Sequence, residues 1–223
     1  MNNAIDIFFG KEFENIINIE LLENDYEFPT EKVLEYVRSI IEIDIRSYFN
    51  WLDDNFSMTM IDVQDAVQYS SFEDVVYNVS KKIIIAGDSG LSYLQIGKIL
   101  QDDGKVRKDG AYTKYGENHA KTASYLGYLF PLKKTYYVSA IGYIIDELGL
   151  KDQSKLYARL FVRTNLFKTV YYLAKSGEVN LRNIFDMLSE KTYIRRRSNI
   201  KMLFQKLVEV EPECAEVVNK IIY

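Results

Sequence analysis

The sequence predicts a mainly α-helical protein with two tandem winged helix-turn-helix units, a small β-hairpin as a wing, and an N-terminal helical domain. Three observations predict it. Proline is scarce, at 3 residues in 223, and the 11 glycines concentrate between residues 87 and 127, which favours long helices over a many-stranded sheet. Apolar residues recur at three- and four-residue steps over long stretches. The order helix, short helix, second helix occurs twice, and the first occurrence runs into a hairpin. The expected segments are an acidic helical domain over 1–70, a winged unit over 71–148, and a second helix-turn-helix unit over 149–223 with an acidic C-terminal helix. The acidic domain either dimerises through the apolar face of Val33, Val37, Ile40 and Ile41, the favoured outcome, or folds over the basic face.

In the N-terminal segment, Phe8, Phe9, Phe13, Ile16 and Ile17 suggest a short helix. Ile19 to Leu22 is ambiguous. Pro29 and Thr30 then open a long helix whose apolar stripe is Val33, Leu34, Val37, Ile40, Ile41, Ile45, Phe49 and Leu52. Met58 to Val63 reads as a short strand or the start of another helix. The carboxylates of this segment have the spacing of neither a calcium loop nor a two-metal site, and read as a solvated face.

Val75 to Ala86 reads as a helix stopped at Gly87-Asp88-Ser89-Gly90. Ser92 and Gln95 form a capping-box pair, with Leu91 placed for a hydrophobic staple, ahead of a short helix burying Ile96, Ile99 and Leu100. Residues 101–110 form a loop, and a helix follows from about Ala111 to Leu126, stopped by Gly127. Gly116, Ala120 and Ala123 give that helix a small-residue stripe for close packing. Lys114, Asn118, Lys121 and Tyr125 form a second stripe that offers cations, an amide and a phenol to a groove. His119, on the same helix, is placed with this contacting set. Leu129 to Val138 reads as a hairpin tipped by Lys133 and Lys134.

Downstream, Tyr157 to Lys175 reads as one long helical stretch ended by Gly177. Asn180 caps a short helix through Leu181 and Ile184, and Lys191 to Ser198 leads into a helix burying Ile200, Leu203, Phe204 and Leu207. Arg195, Arg196 and Arg197 stand at the expected entry of this helix, and Arg197, Lys201 and Gln205 form its outward stripe.

Charge placement points to a polyanionic partner. Residues 1–76 hold 4 Lys/Arg against 17 Asp/Glu, whereas residues 77–206 hold 23 against 11, a net of +12 inside a chain of net charge −4. Nucleic acid is the first candidate, since neutralised phosphates release counterions.

Leu91-Ser92-Tyr93-Leu94-Gln95-Ile96-Gly97, Tyr115 to Gly127 and Val138-Ser139-Ala140-Ile141-Gly142 resemble bacterial winged-helix modules that accompany restriction endonucleases and related defence proteins. There, a helix of the pattern KTA-x-x-LG precedes a wing ending in LT-x-x-G. Here Lys121-Thr122-Ala123 begins the first pattern, and Val138 to Gly142 departs from the second in residue detail. Thr192 with Arg195 to Ser198 resembles the Thr–Arg–Arg helix that often follows. The resemblance covers about residues 70–210 and implies sequence-specific recognition of double-stranded DNA. It places the chain as a recognition or regulatory part of a restriction or phage-defence system, with a nuclease or methyltransferase partner.

Catalytic signals are weak. Asp103-Gly104-Lys105 has the (Asp/Glu)-x-Lys form of a nuclease motif, but sits in a polar, glycine-containing loop and reads as a turn. A lone histidine excludes paired-histidine metal chemistry. Cys214, the only cysteine, excludes an internal disulfide and lies in an acidic tail that does not favour a thiolate. No cofactor is expected, and no phosphate-binding glycine motif occurs. The first ten residues lack the basic flank of a signal peptide, and no apolar run approaches the ~18 residues of a membrane span, so a cytoplasmic protein without membrane contact is expected. A DNA endonuclease, or a subunit of one, and a protein-interaction adaptor remain as alternatives.

Overall fold

The computed structural model describes residues 4–10, 13, 30–55, 60–87 and 89–223. The expectations for Ile16 to Leu22, Pro29 and Met58-Thr59 lie outside them. The described chain is mainly helical and divides into two compact units, Met1–Ile40 with Tyr69–Gln153 and Ile41–Gln68 with Ser154–Tyr223. The acidic N-terminal segment is therefore shared between both units.

In the first unit, α1 (Ala4–Phe9) buries Ile5 and Phe8, and Phe8 meets Phe13 edge to face at 5.0 Å. Helix α2 (Thr30–Glu42) carries the expected apolar stripe, but does not continue to Leu52. The chain breaks at Ile43-Asp44, and α3 (Ile45–Asn55) starts afresh in the second unit. Val33, Val37, Ile40 and Ile41 are all buried within this chain, at no more than 5% exposure. The stripe is therefore covered within the chain, and does not offer the open apolar face from which pairing is expected.

A π-helical turn at Asp74–Asn78 leads into α4 (Val79–Ile85). Helix α5 (Tyr93–Leu100) begins at the reciprocal Ser92–Gln95 capping box expected from sequence. Its last carbonyls, of Ile99 and Leu100, accept from the Lys82 ammonium. Helix α6 (Asp109–Leu126) ends at Gly127, which adopts φ 94°, a left-handed stop suited to glycine. Strands β1 (Leu129–Leu132) and β2 (Thr135–Val138) form the antiparallel hairpin, with Leu129 opposite Val138. Ser139 caps α7 (Ala140–Tyr143), and its hydroxyl donates to the Gly127 carbonyl at 2.7 Å.

The second unit contains α3 and the C-terminal part of α8 (Leu150–Arg163), then α9 (Asn165–Ala174), β3 (Val179–Asn180), α10 (Leu181–Ile184), α11 (Glu190–Val210), α12 (Ala215–Val218) and β4 (Ile221–Ile222). Two expectations need correction. The stretch from Tyr157 to Lys175 is two helices, because the Thr164 hydroxyl accepts from the Phe167 amide and starts a new helix. The arginine run lies inside α11 rather than at its entry, since Ser189 caps the helix a full turn earlier. Asn180 does cap α10, as expected. Strands β3 and β4 pair in parallel over two residues, so among the described residues no hairpin wing follows α11.

Aromatic stacking builds this unit's core. Phe161 meets Phe204 edge to face at 5.0 Å, and Phe49 stacks on Tyr171 at 5.0 Å. Arg159, only 2% exposed, donates to Glu211 Oε1 at 2.7 Å and to the Ile43 carbonyl at 2.8 Å, and lies over the Tyr48 ring. The carbonyl freed where α2 ends is thus satisfied by a side chain 116 residues away. No described helix is long and apolar enough to cross a membrane.

Candidate nucleic-acid interface

The crossing of α5 and α6 is set by two glycines. A Cβ on Gly97 would stand 1.9 Å from the Tyr112 carbonyl oxygen, and one on Gly116 would stand 1.9 Å from that of Tyr93. Only glycine allows this approach. Ala120 and Ala123, further along the same stripe, are fully buried, so the small-residue stripe packs inward as expected. Leu91, just ahead of α5, exchanges two backbone hydrogen bonds of 2.9 Å with Tyr136 of β2. The Tyr93 and Tyr136 hydroxyls are 3.0 Å apart, and the Lys121 ammonium lies 5.9 Å from the Tyr93 ring. The helix pair and the hairpin are thereby tied together.

On α6, Lys114 and Lys121 are exposed, whereas Asn118 and Tyr125 are half-buried. Glu117 accepts from Lys114 at 2.8 Å and from Lys121 at 2.7 Å. Those hydrogen bonds hold its carboxyl below the usual range. The stripe therefore presents a net charge of one rather than two. The Lys-x-x-Glu-x-x-x-Lys spacing contains this pairing, which the lysines taken alone do not reveal.

His119 is not on this face. Its ring is fully buried and stacks on Tyr115 at 3.9 Å. Nδ1 lies 2.8 Å from the Tyr115 carbonyl, and Nε2 accepts from the Ser70 and Ser71 amides at 3.3 and 3.2 Å. These partners fix the neutral, Nδ1-protonated tautomer. Burial also lowers its pKa from 6.5. With both nitrogens committed, His119 ties α6 to the segment before the π turn and cannot reach a nucleic acid. Next to it, the Tyr115 hydroxyl donates to Asp74 at 2.7 Å.

The hairpin tip matches its expectation. Lys133 and Lys134 are exposed, and Lys133 takes φ 57° in the two-residue turn. Phe130 and Tyr137 stack at 5.5 Å on the strands behind them.

On α11 the three arginines separate. Arg196 turns in and donates to the Val63 and Ala66 carbonyls at 2.9 and 2.8 Å. Arg195 and Arg197 are exposed, and among the described residues no carboxylate pairs with them. Lys201 is exposed and lies 5.4 Å from the Tyr223 ring.

The nuclease-like tripeptide is in a loop. Both Asp103 oxygens accept from Arg107, at 2.7 and 2.6 Å, and this bidentate pair holds the Asp103 carboxyl far below its usual range. Among the described residues no cluster of His, Cys, Asp and Glu is arranged to hold a metal. Burial pushes the Cys214 thiol up to about 12, in the direction expected for an unreactive cysteine. Compared with protein families, with curated proteins and with solved structures, the chain matches none.

Proposed function

We propose that this chain binds double-stranded DNA through α6 and the β1–β2 hairpin. The observation that carries the reading is the Leu91–Tyr136 pairing. It joins the residue before α5 to the second hairpin strand, so that helix, extended residue, helix, helix and hairpin follow the order of a winged helix-turn-helix. In this reading α6 enters the major groove. Asn118 reads a base edge, Lys114, Lys121 and Tyr125 contact the groove wall, and Lys133 and Lys134 touch backbone. Arg195, Arg197 and Lys201 of α11 supply a second set of phosphate contacts. The likeness of residues 91–142 to winged modules of defence systems extends the proposal to a recognition or regulatory role beside a nuclease or methyltransferase.

The test is titration of labelled duplex DNA at increasing salt. If ~6 phosphates are neutralised, affinity falls roughly a thousandfold between 50 and 200 mM salt. A flat salt response contradicts the proposal.

A further inference from the structure

A groove of about 570 Å³ opens on the second unit, between Met60-Ile61, α9 and the loop that carries β3 and α10. Met60 is 93% exposed and Met187 is 45% exposed, and Leu173 and Ile184 continue the apolar wall. Thioether side chains are adaptable, and suit a wall that receives apolar side chains from outside. Glu178 and Asp186 also line the groove. Both are exposed and, among the described residues, neither is paired with a cation. Among the described residues, no Lys or Arg lines it. In the same wall Thr169 is 4% exposed, and its hydroxyl has no hydrogen-bond partner among the described residues. An apolar floor with unneutralised carboxylates calls for an apolar side chain flanked by cations.

This chain carries that complement on α11. Residues 191–205 contain five Lys/Arg and no carboxylate. At 100° per residue, Ile194, Arg195, Lys201 and Met202 share the solvent-facing arc opposite Tyr193, Ile200, Leu203 and Phe204, which are buried, and Arg197, also exposed, stands at the edge of that arc beside Phe204. Ile194 is 52% exposed and Met202 40% exposed, two turns apart and bracketed by the cations. The buried side of α11 fixes the outer arc toward solvent, so the arc is available to another molecule.

We infer that the outer face of α11 on one copy docks into the Met60–Met187 groove of a second copy. Ile194 and Met202 would meet the methionines, and Arg195, Arg197 and Lys201 would meet Glu178 and Asp186. The two surfaces differ, so the contact is head to tail and repeats from copy to copy. Arg195, Arg197 and Lys201 are the cations that the DNA reading gives to phosphate, so on this face self-association and phosphate contact exclude one another. The inference does not rest on that reading, and its test contains no DNA.

The experiment is sedimentation velocity of the full chain over a concentration series at low salt. It is paired with spectra of protein labelled with 13C at the methionine methyls. A groove variant, Glu178→Lys with Asp186→Lys, and a face variant, Arg195→Glu with Arg197→Glu, change exposed side chains only, and circular dichroism checks their fold. The parent is expected to associate as concentration rises, with the Met60, Met187 and Met202 methyl signals shifting together. Like charges placed opposite each other weaken association about tenfold or more in each variant alone. Mixed one to one, the variants associate again, because each face then matches the other's groove. A parent that stays monomeric overturns the inference. So does association that the groove variant leaves unchanged, which would mark pairing through α11 alone, or a mixture that fails to recover. A monomeric parent whose Met60 and Met187 signals shift only with an added leucine–lysine peptide also overturns it, and assigns the groove to a foreign basic segment.

Discussion

Residues 91–142 and the unit formed by 41–68 with 154–223 are held together over different distances along the chain. In the first, the determining contacts are near neighbours in sequence: the Ser92–Gln95 capping box, the Gly97 and Gly116 crossing, the Gly127 stop and a hairpin closed by two residues. In the second, Arg159 reaches Ile43 and Glu211, Tyr171 donates to Asp53 at 2.7 Å, and the Tyr157 hydroxyl donates to the Leu203 carbonyl at 2.7 Å. Charge follows the same division. The cations of α6 are engaged by an acid of their own helix, while Arg195 and Arg197 of α11 have no acid within the helix from 191 to 205. A locally encoded unit is set by caps and glycines, whereas the other depends on buried partners that only the fold assembles.

Breaking the long-range side should cost most. Arg159→Ala leaves Glu211 without its cation and the Ile43 carbonyl without its donor. Loss of one partner from a buried ion pair costs roughly 3–5 kcal/mol, read as a shift in the urea unfolding midpoint. Arg159→Met combined with Glu211→Leu should recover part of that loss, since no buried charge is then stranded. A midpoint for Arg159→Ala equal to the parent's would show that the pair does not hold the unit.

A methyl group at the local crossing should cost less. Gly116→Ala puts a carbon against the Tyr93 carbonyl, and overpacking of this kind costs roughly 1–3 kcal/mol. The helices must separate to admit it, so duplex binding should weaken along with stability. If Gly116→Ala unfolds at the parent's urea concentration, the close crossing is not a constraint.

His119 gives the mildest effect and one that depends on pH. Its pKa is lowered on folding, so the unfolded chain takes up the proton first as pH falls. The stability from the neutral ring is fully present above about pH 6.5 and is lost progressively below it, by at most ~1.4 kcal/mol per pH unit. His119→Gln should be less stable at pH 7.5 and should lack that part of the pH slope. Equal slopes in the parent and the variant would count against the clasp at Ser70 and Ser71.

The same division explains what could be read from the sequence. Caps, glycine stops and hairpin tips are chemistry at fixed short spacing, and Ser92, Gly116, Gly127, Lys133 and Asn180 all stand where that chemistry places them. The break at Ile43 was invisible because apolar periodicity runs through it unaltered and the side chain that satisfies it is Arg159. Thr164 has the chemistry of a cap, but it lies inside an apolar run that reads as one helix. The burial of His119 was hidden for a different reason: its partners are backbone amides, which carry no residue signature. Arg196 likewise looks like its neighbours in sequence, and only the Val63 and Ala66 carbonyls distinguish it.

Whether the locally built unit is the reader of DNA can be decided by fluorescence anisotropy of a labelled duplex panel. The proteins compared are the parent, Asn118→Ala, and Lys133→Glu with Lys134→Glu. The hairpin variant should weaken binding to every duplex alike, and Asn118→Ala should relax preference at one base position by about 1–3 kcal/mol. Parent-like binding by both variants would show that α6 and the hairpin do not touch DNA.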